Sequence, residues 1–270
     1  MNPFLIDYDT PYQIPPFEKI EVSHYEPAFE EGMRQHLLEI EAIANNKKDA
    51  TFENTIVELE RTGKLLDKVS SVFFNLLGAN TNDEMDELAS KISPILSSHY
   101  DQISLNPVLF NRIKKVHDQR DELNLSVEQL RLLTETYKGF VRSGALLTKD
   151  SMDKLKEINK KLSSLSIKFD QNVLKETNEG YSLIINDQED LDGLPQDIID
   201  QASNLATSIG EDGKWAFKPT RVSMYPFLTY SNKRELREKL YNSYINRADN
   251  NNERDNKKII EEMVSLRIQK

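Results

Sequence analysis

A mainly α fold is predicted: a bundle-like lobe of long antiparallel helices with one small two-stranded β ribbon, around 181–185 and 214–218. Three observations predict it. The 270 residues hold only 9 glycines and 10 prolines, too few for an all-β or disordered chain. Apolar residues recur at helical spacing through long proline-free stretches. Two short runs break that pattern, alternate apolar with polar residues, and sit beside glycines, as hairpin-type strands do.

Residues 1–22 carry Pro3, Pro11, Pro15 and Pro16 among Phe4, Tyr8, Tyr12 and Phe17. Proline at that density forbids a helix and favours an extended arm, which the aromatics hold against a helical body. Pro27 is expected at the first position of the first helix, where its missing N–H costs nothing. Phe29, Met33, Leu37, Ile40 and Ile43 then form its apolar stripe up to Asn45.

The stretch 51–80 reads as a single long helix, roughly 40 Å from end to end. Ile56, Gly63, Ser70 and Leu77 make one heptad series, and Leu59, Leu66 and Phe73 another. The small Gly63 and Ser70 predict a close helix crossing. Val72, Phe73, Phe74, Leu76 and Leu77 predict a deeply buried end.

Asn82 caps the next helix, with acids in its first turn where the dipole favours them. It runs to about Leu105, and Pro94 inside it predicts a kink or a division in two. Asn106-Pro107 opens a short helix ending near Asn124. Ser126 with Gln129 forms a capping box, and the helix it opens presents Leu130, Leu133, Tyr137, Phe140 and Val141. From near Thr148, Leu155, Ile158, Leu162, Leu165 and Phe169 mark another long helix. After Gly180 come the first strand, a turn at Leu191-Asp192-Gly193, a helix over 195–209 and the second strand. Asn232 with Glu235 caps a helix through Leu236, Leu240 and Tyr244. The polar 249–257 ends it, and a last helix covers 259–268. The organisation is thus an arm (1–22), a helical body (23–180), and a ribbon with further helices in the same lobe (181–270).

A net charge of −10 and a pI near 5.1 argue against nucleic-acid partners, which need a basic face. No cysteine occurs, so disulfides, thiol catalysis and cysteine–zinc sites are out. No apolar run approaches the ~20 residues that span a bilayer, so no membrane partner is expected. The N-terminus lacks the pattern of a signal peptide. A cytoplasmic location is the expectation, with a periplasmic one, after removal of a leader, as the alternative.

Catalytic constellations are absent from the sequence. A helical zinc-hydrolase motif needs two histidines four apart with a glutamate after the first. None of His24, His36, His99 and His117 is followed by glutamate, and no two are close in sequence. His117 with Asp121 lies one helical turn apart, but two ligands without a third make a poor site, and a solvated acidic helix end is the better reading. His24 reads as a cap or packing residue. The loop 249–253 superficially resembles a calcium loop, yet Arg254 replaces the glycine and Ile260 the closing glutamate. Acid pairs such as Glu30-Glu31 and Glu261-Glu262 are wet helix faces. No nucleophile elbow, phosphate loop or dinucleotide fingerprint appears. The residues therefore name no catalytic, cofactor-binding or metal position.

Three stretches stand out together: Asn2-Pro3-Phe4-Leu5 with Pro11-Tyr12; His24-Tyr25-Glu26-Pro27-Ala28-Phe29 with Glu31-Gly32-Met33; and Phe52, Asn54-Thr55-Ile56, Leu59-Glu60, Gly63, Leu65-Leu66, Ser71-Val72-Phe73-Phe74 and Thr81-Asn82-Asp83-Glu84. Weaker echoes are Lys214-Trp215 and Arg237-Glu238-Lys239-Leu240. With these the chain resembles the thimet-oligopeptidase family of zinc metallopeptidases, specifically the N-terminal part of its dipeptidyl carboxypeptidase branch. The resemblance implies a helical protein whose two halves enclose a channel for short peptides. It places zinc, its ligands and the catalytic base in a C-terminal catalytic domain beyond this chain. No zinc ligand carries over to any residue here, and the chain alone is expected to be inactive. The competing expectation is a stand-alone helical module that binds proteins or peptides.

Overall fold

The computed structural model describes Met1–Lys270 and is mainly helical. The chain divides into two compact units, Met1–Ile167 with Gln269–Lys270, and Lys168–Ile268.

In the first unit, α1 (Tyr25–Ala44) ends at Asn45 as its stripe predicts. Pro27 stands third in the helix rather than first, because the chain turns through Val22–His24 straight into it. The first-turn amides need no helical partner at either position, so the shift costs nothing. The residues before it alternate short 3-10 turns, two of which start at Pro3 and Pro11, with extended positions such as Ile6, Thr10 and Ile14. Phe4 is buried, whereas Tyr12 is 97% exposed. The arm is therefore anchored at Phe4 and not along all its aromatics.

The predicted single helix over 51–80 is broken. Phe52–Val57 is a π-helical turn, opened by a reciprocal Thr51–Asn54 capping box, and α2 is only Glu58–Glu60. Gly63 then adopts φ 74°, and α3 (Lys64–Ala79) starts after it. Gly63 is a break and not a helix crossing: without a Cβ it reaches the left-handed region, and its N–H donates to Glu39 Oε2 at 2.7 Å. The close crossing lies one turn further on, where a Cβ on Gly32 of α1 would stand 3.0 Å from Leu66 Cα of α3. At the far end Val72 and Phe73 are buried but Phe74 is exposed, so that end is covered on one side only.

The helix α4 (Asp83–Ser104) is capped by Asn82, whose side chain accepts from Met85 N. Pro94 does not divide it. One lost hydrogen bond is outweighed by the burial of Ile92, Leu96, His99 and Ile103 along one face. The short α5 (Pro107–Asp118) ends earlier than predicted, and the turn that follows has Asn124 at φ 48°. Next, α6 (Val127–Arg142) carries the expected Ser126–Gln129 capping box. The last helix to enter this unit is α7 (Lys149–Glu179). Tyr25, Phe29 and Phe73 form the centre of one core, with ring centroids 5.0 and 5.4 Å from Phe73. Ile40, Ile56, Leu109, Ile113 and Leu133 centre the other.

The second unit pairs β1 (Leu183–Ile185) with β2 (Trp215–Phe217), antiparallel, Ile184 opposite Ala216. Around this ribbon pack α8 (Gln196–Ser208), α9 (Arg221–Tyr230) and α10 (Arg234–Ile245), and α11 (Lys257–Gln269) follows in the chain. The sequence pattern missed α9, which holds Pro226. Asn232 is not the cap of α10. Its amide instead reaches Asp192 Oδ2 at 3.0 Å, and Lys233 occupies the cap position. The polar loop before α11 is clamped to α7: Asn250 and Asn252 donate to the Glu176 carboxylate, and buried Asn256 joins Asn172 and the Phe169 carbonyl.

Candidate functional site

Folding brings together what the sequence keeps 63 residues apart. His36 projects from α1 and His99 from α4, with His36 Nδ1 3.0 Å from His99 Nε2. The close α1–α3 approach at Gly32 and the left-handed turn at Gly63 bring Thr62 to the other side of His36, 3.2 Å from Nε2. His36 and Thr62, with buried His99 behind them, line a groove of about 830 Å³ in the first unit, whose lining also includes Glu60, Lys64, Asp67, Tyr100, Asp101 and Arg142.

The protons along this line can be assigned. Thr62 has one hydroxyl hydrogen, and it donates to the Leu59 carbonyl at 2.7 Å. Thr62 Oγ1 therefore accepts from His36 Nε2–H. In a neutral ring His36 Nδ1 is then bare, and it accepts from His99 Nε2–H. Burial lowers the pKa of both rings. For His36 the nearby Glu39 partly offsets this; for His99, His36 adds to it and the value falls to about 4. Both imidazoles are neutral at pH 7.

A hydroxyl, an imidazole and a third group in a row look like a nucleophilic triad, but the proton runs the wrong way. A triad histidine takes the hydroxyl proton and is steadied by a carboxylate. Here His36 donates to Thr62, and the third member is another imidazole. The arrangement builds a stiff connection between three segments, not an activated nucleophile. Nearby, Asp101 is buried; Asn159 donates to its Oδ1 at 2.8 Å, while its Oδ2 has no hydrogen-bond partner. Burial raises the Asp101 pKa, and the Asn159 hydrogen bond and the charges of Lys270 and Lys156 offset part of the rise.

The other histidines stand apart. His24 Nδ1 accepts from Glu21 N at 3.0 Å, a capping role. His117 stacks on Tyr137, with centroids 3.9 Å apart and planes 9° from parallel, and Asp121 lies beside Arg120 instead. The loop 249–253 points its asparagine amides at Glu176 and pairs Asp249 with Lys257, so its polar groups are spent on the clamp. No group of three or more His, Asp or Glu side chains is placed to hold a metal ion. The one close histidine pair has both His36 nitrogens engaged in hydrogen bonds, so these residues do not fit a resident zinc ion. Sequence reasoning missed the His36–His99 pair. No spacing signals it, because the two rings come from helices 63 positions apart in the chain.

Comparison with known proteins matches the whole chain. It is 38% identical over 269 residues to a dipeptidyl carboxypeptidase of Escherichia coli, covering 100% of this chain and 39% of that protein. A dipeptidyl carboxypeptidase of Salmonella typhimurium is 35% identical over 266 residues, 98% of this chain and 39% of that protein. An oligopeptidase A of Haemophilus influenzae is 28% identical over 260 residues, 95% and 38% respectively. The chain thus spans about two fifths of the length of these curated relatives. No protein-family model matches it.

Proposed function

We propose that this chain, similar along its length to dipeptidyl carboxypeptidases and an oligopeptidase A, is the non-catalytic N-terminal lobe of a peptidase of the thimet-oligopeptidase family. In this reading it forms one wall of a channel for short, unstructured peptides, and the parent enzyme removes dipeptides from their C-termini. The observation that carries the proposal is the end-to-end match to enzymes about two and a half times as long. Catalytic chemistry, including any zinc-activated water, belongs to the part of those enzymes that has no counterpart here. The residues of this chain shape the channel wall and limit entry by folded proteins.

An exposed apolar row supports the reading. On α11, Ile260, Val264 and Ile268 follow each other at intervals of four, 48%, 51% and 80% exposed. Helical spacing puts them on one side, a side suited to meeting another polypeptide.

The test is a chimera in which this chain replaces the matching segment of the Escherichia coli dipeptidyl carboxypeptidase. Zinc content reports whether the recipient part is folded, and dipeptide release from short peptides reports the lobe. Dipeptide release by the chimera, with none from the chain alone, is expected. A zinc-loaded chimera that cleaves nothing, or dipeptide release by the chain alone, overturns the proposal.

A further inference from the structure

The turn at Thr62-Gly63 separates α2 from α3 and is joined to α1 and α4 by the line Thr62–His36–His99. We propose that this line is a proton-operated latch, which holds the turn while both imidazoles are neutral and releases it, widening the groove, when both are protonated. The reason is geometric. A first proton can be absorbed if His99 moves its own hydrogen to Nδ1, leaving Nε2 to accept from His36 Nδ1–H. A second proton cannot, because two N–H groups then face each other across 3.0 Å. Release therefore needs two protons and is steeper than a single titration.

The surrounding charges leave that logic intact. From α1, Glu39 favours protonation of His36, but its carboxylate is already bonded to Gly63 N–H. Around the groove, Lys64 of α3, Arg142 of α6 and Lys270 oppose Glu60 beside the turn, Asp67 of α3 and Asp101 of α4. Tyr100 of α4 is neutral, its pKa raised first by burial and then by Asp67. With the charges nearly balanced, burial decides. Both rings resist protonation, and release falls in the mildly acid range between the ordinary histidine value of 6.5 and about 4.

Imidazole nitrogen NMR and amide hydrogen exchange on the full ¹⁵N-labelled chain, from pH 8 to pH 4, test the latch. Above pH 7 both rings are expected as neutral Nε2–H tautomers. In acid the Gly63 amide, corrected for its intrinsic rate, is expected to lose protection by about tenfold per pH unit or more. The variant His36→Gln can donate to Thr62 and accept from His99 without titrating, so its Gly63 protection stays flat over the same range. The proposal is overturned by a proton on His36 Nδ1 at neutral pH, by either ring titrating at 6.5, or by an equal loss of protection in His36→Gln. Should that variant fail to fold, the tautomers and titration of the natural chain alone decide.

Discussion

Asp101 shows how one side chain can cost stability where its neighbours gain it. Its Oδ2 is buried without a partner, and the raised pKa records the penalty on the charged form. Replacing Asp101 by Asn keeps the shape and removes the charge. The expected result is a gain of about 1 kcal/mol in urea unfolding at pH 7. The sign follows from linkage. A carboxyl whose folded pKa lies above its unfolded value is a liability above that folded pKa, and the liability fades as pH falls through it. The gain must therefore shrink toward pH 4, and a loss of stability at pH 7 would refute this account. His36 and His99 run the other way. Their folded pKa values lie below the ordinary one, so their contribution is complete above 6.5 and is lost as pH falls toward about 4. None of this is legible in the sequence, where four scattered histidines carry no hint of which two meet.

At the scale of elements, two glycines shape the unit that carries the groove. Gly32 lets the α3 backbone approach α1, and a methyl group there would stand 3.0 Å from Leu66 Cα, on rigid backbone. Gly32→Ala is expected to destabilise by about 1–3 kcal/mol through overpacking. Gly78, on α3 with open space around it, is the control: Gly78→Ala should be neutral or stabilise by about 0.5–1 kcal/mol. Equal effects of the two substitutions in chemical denaturation would show that no close crossing exists at Gly32. Most helices were legible because each has a stripe and a start signal of its own, as at Asn82, Asn106 and Ser126. The break at Gly63 was not. A small residue at a heptad position reads as a crossing point, and only its φ of 74° and the Glu39 carboxylate beneath it show a turn. For α9 the pattern failed because Pro226 lies within the helix.

For the molecule as a whole, the exposed row on α11 predicts self-association when the chain is purified alone. Sedimentation velocity should show a concentration-dependent dimer, and the double substitution Val264→Glu with Ile268→Glu should return it to monomer without loss of helix content. A natural chain that stays monomeric at high concentration would mean the row is simply solvated. By itself the sequence determined the helical class, the two-stranded ribbon, most helix starts and the kinship with peptidases. Those properties are written in local spacing, cap residues and end-to-end similarity, all of which a linear reading can see. Only the tertiary structure decided where the 51–80 stretch breaks, which glycine carries the crossing, and that His36 and His99 join across α1 and α4. Such features depend on which surfaces meet, and contacts between residues 63 positions apart leave no periodicity in the chain.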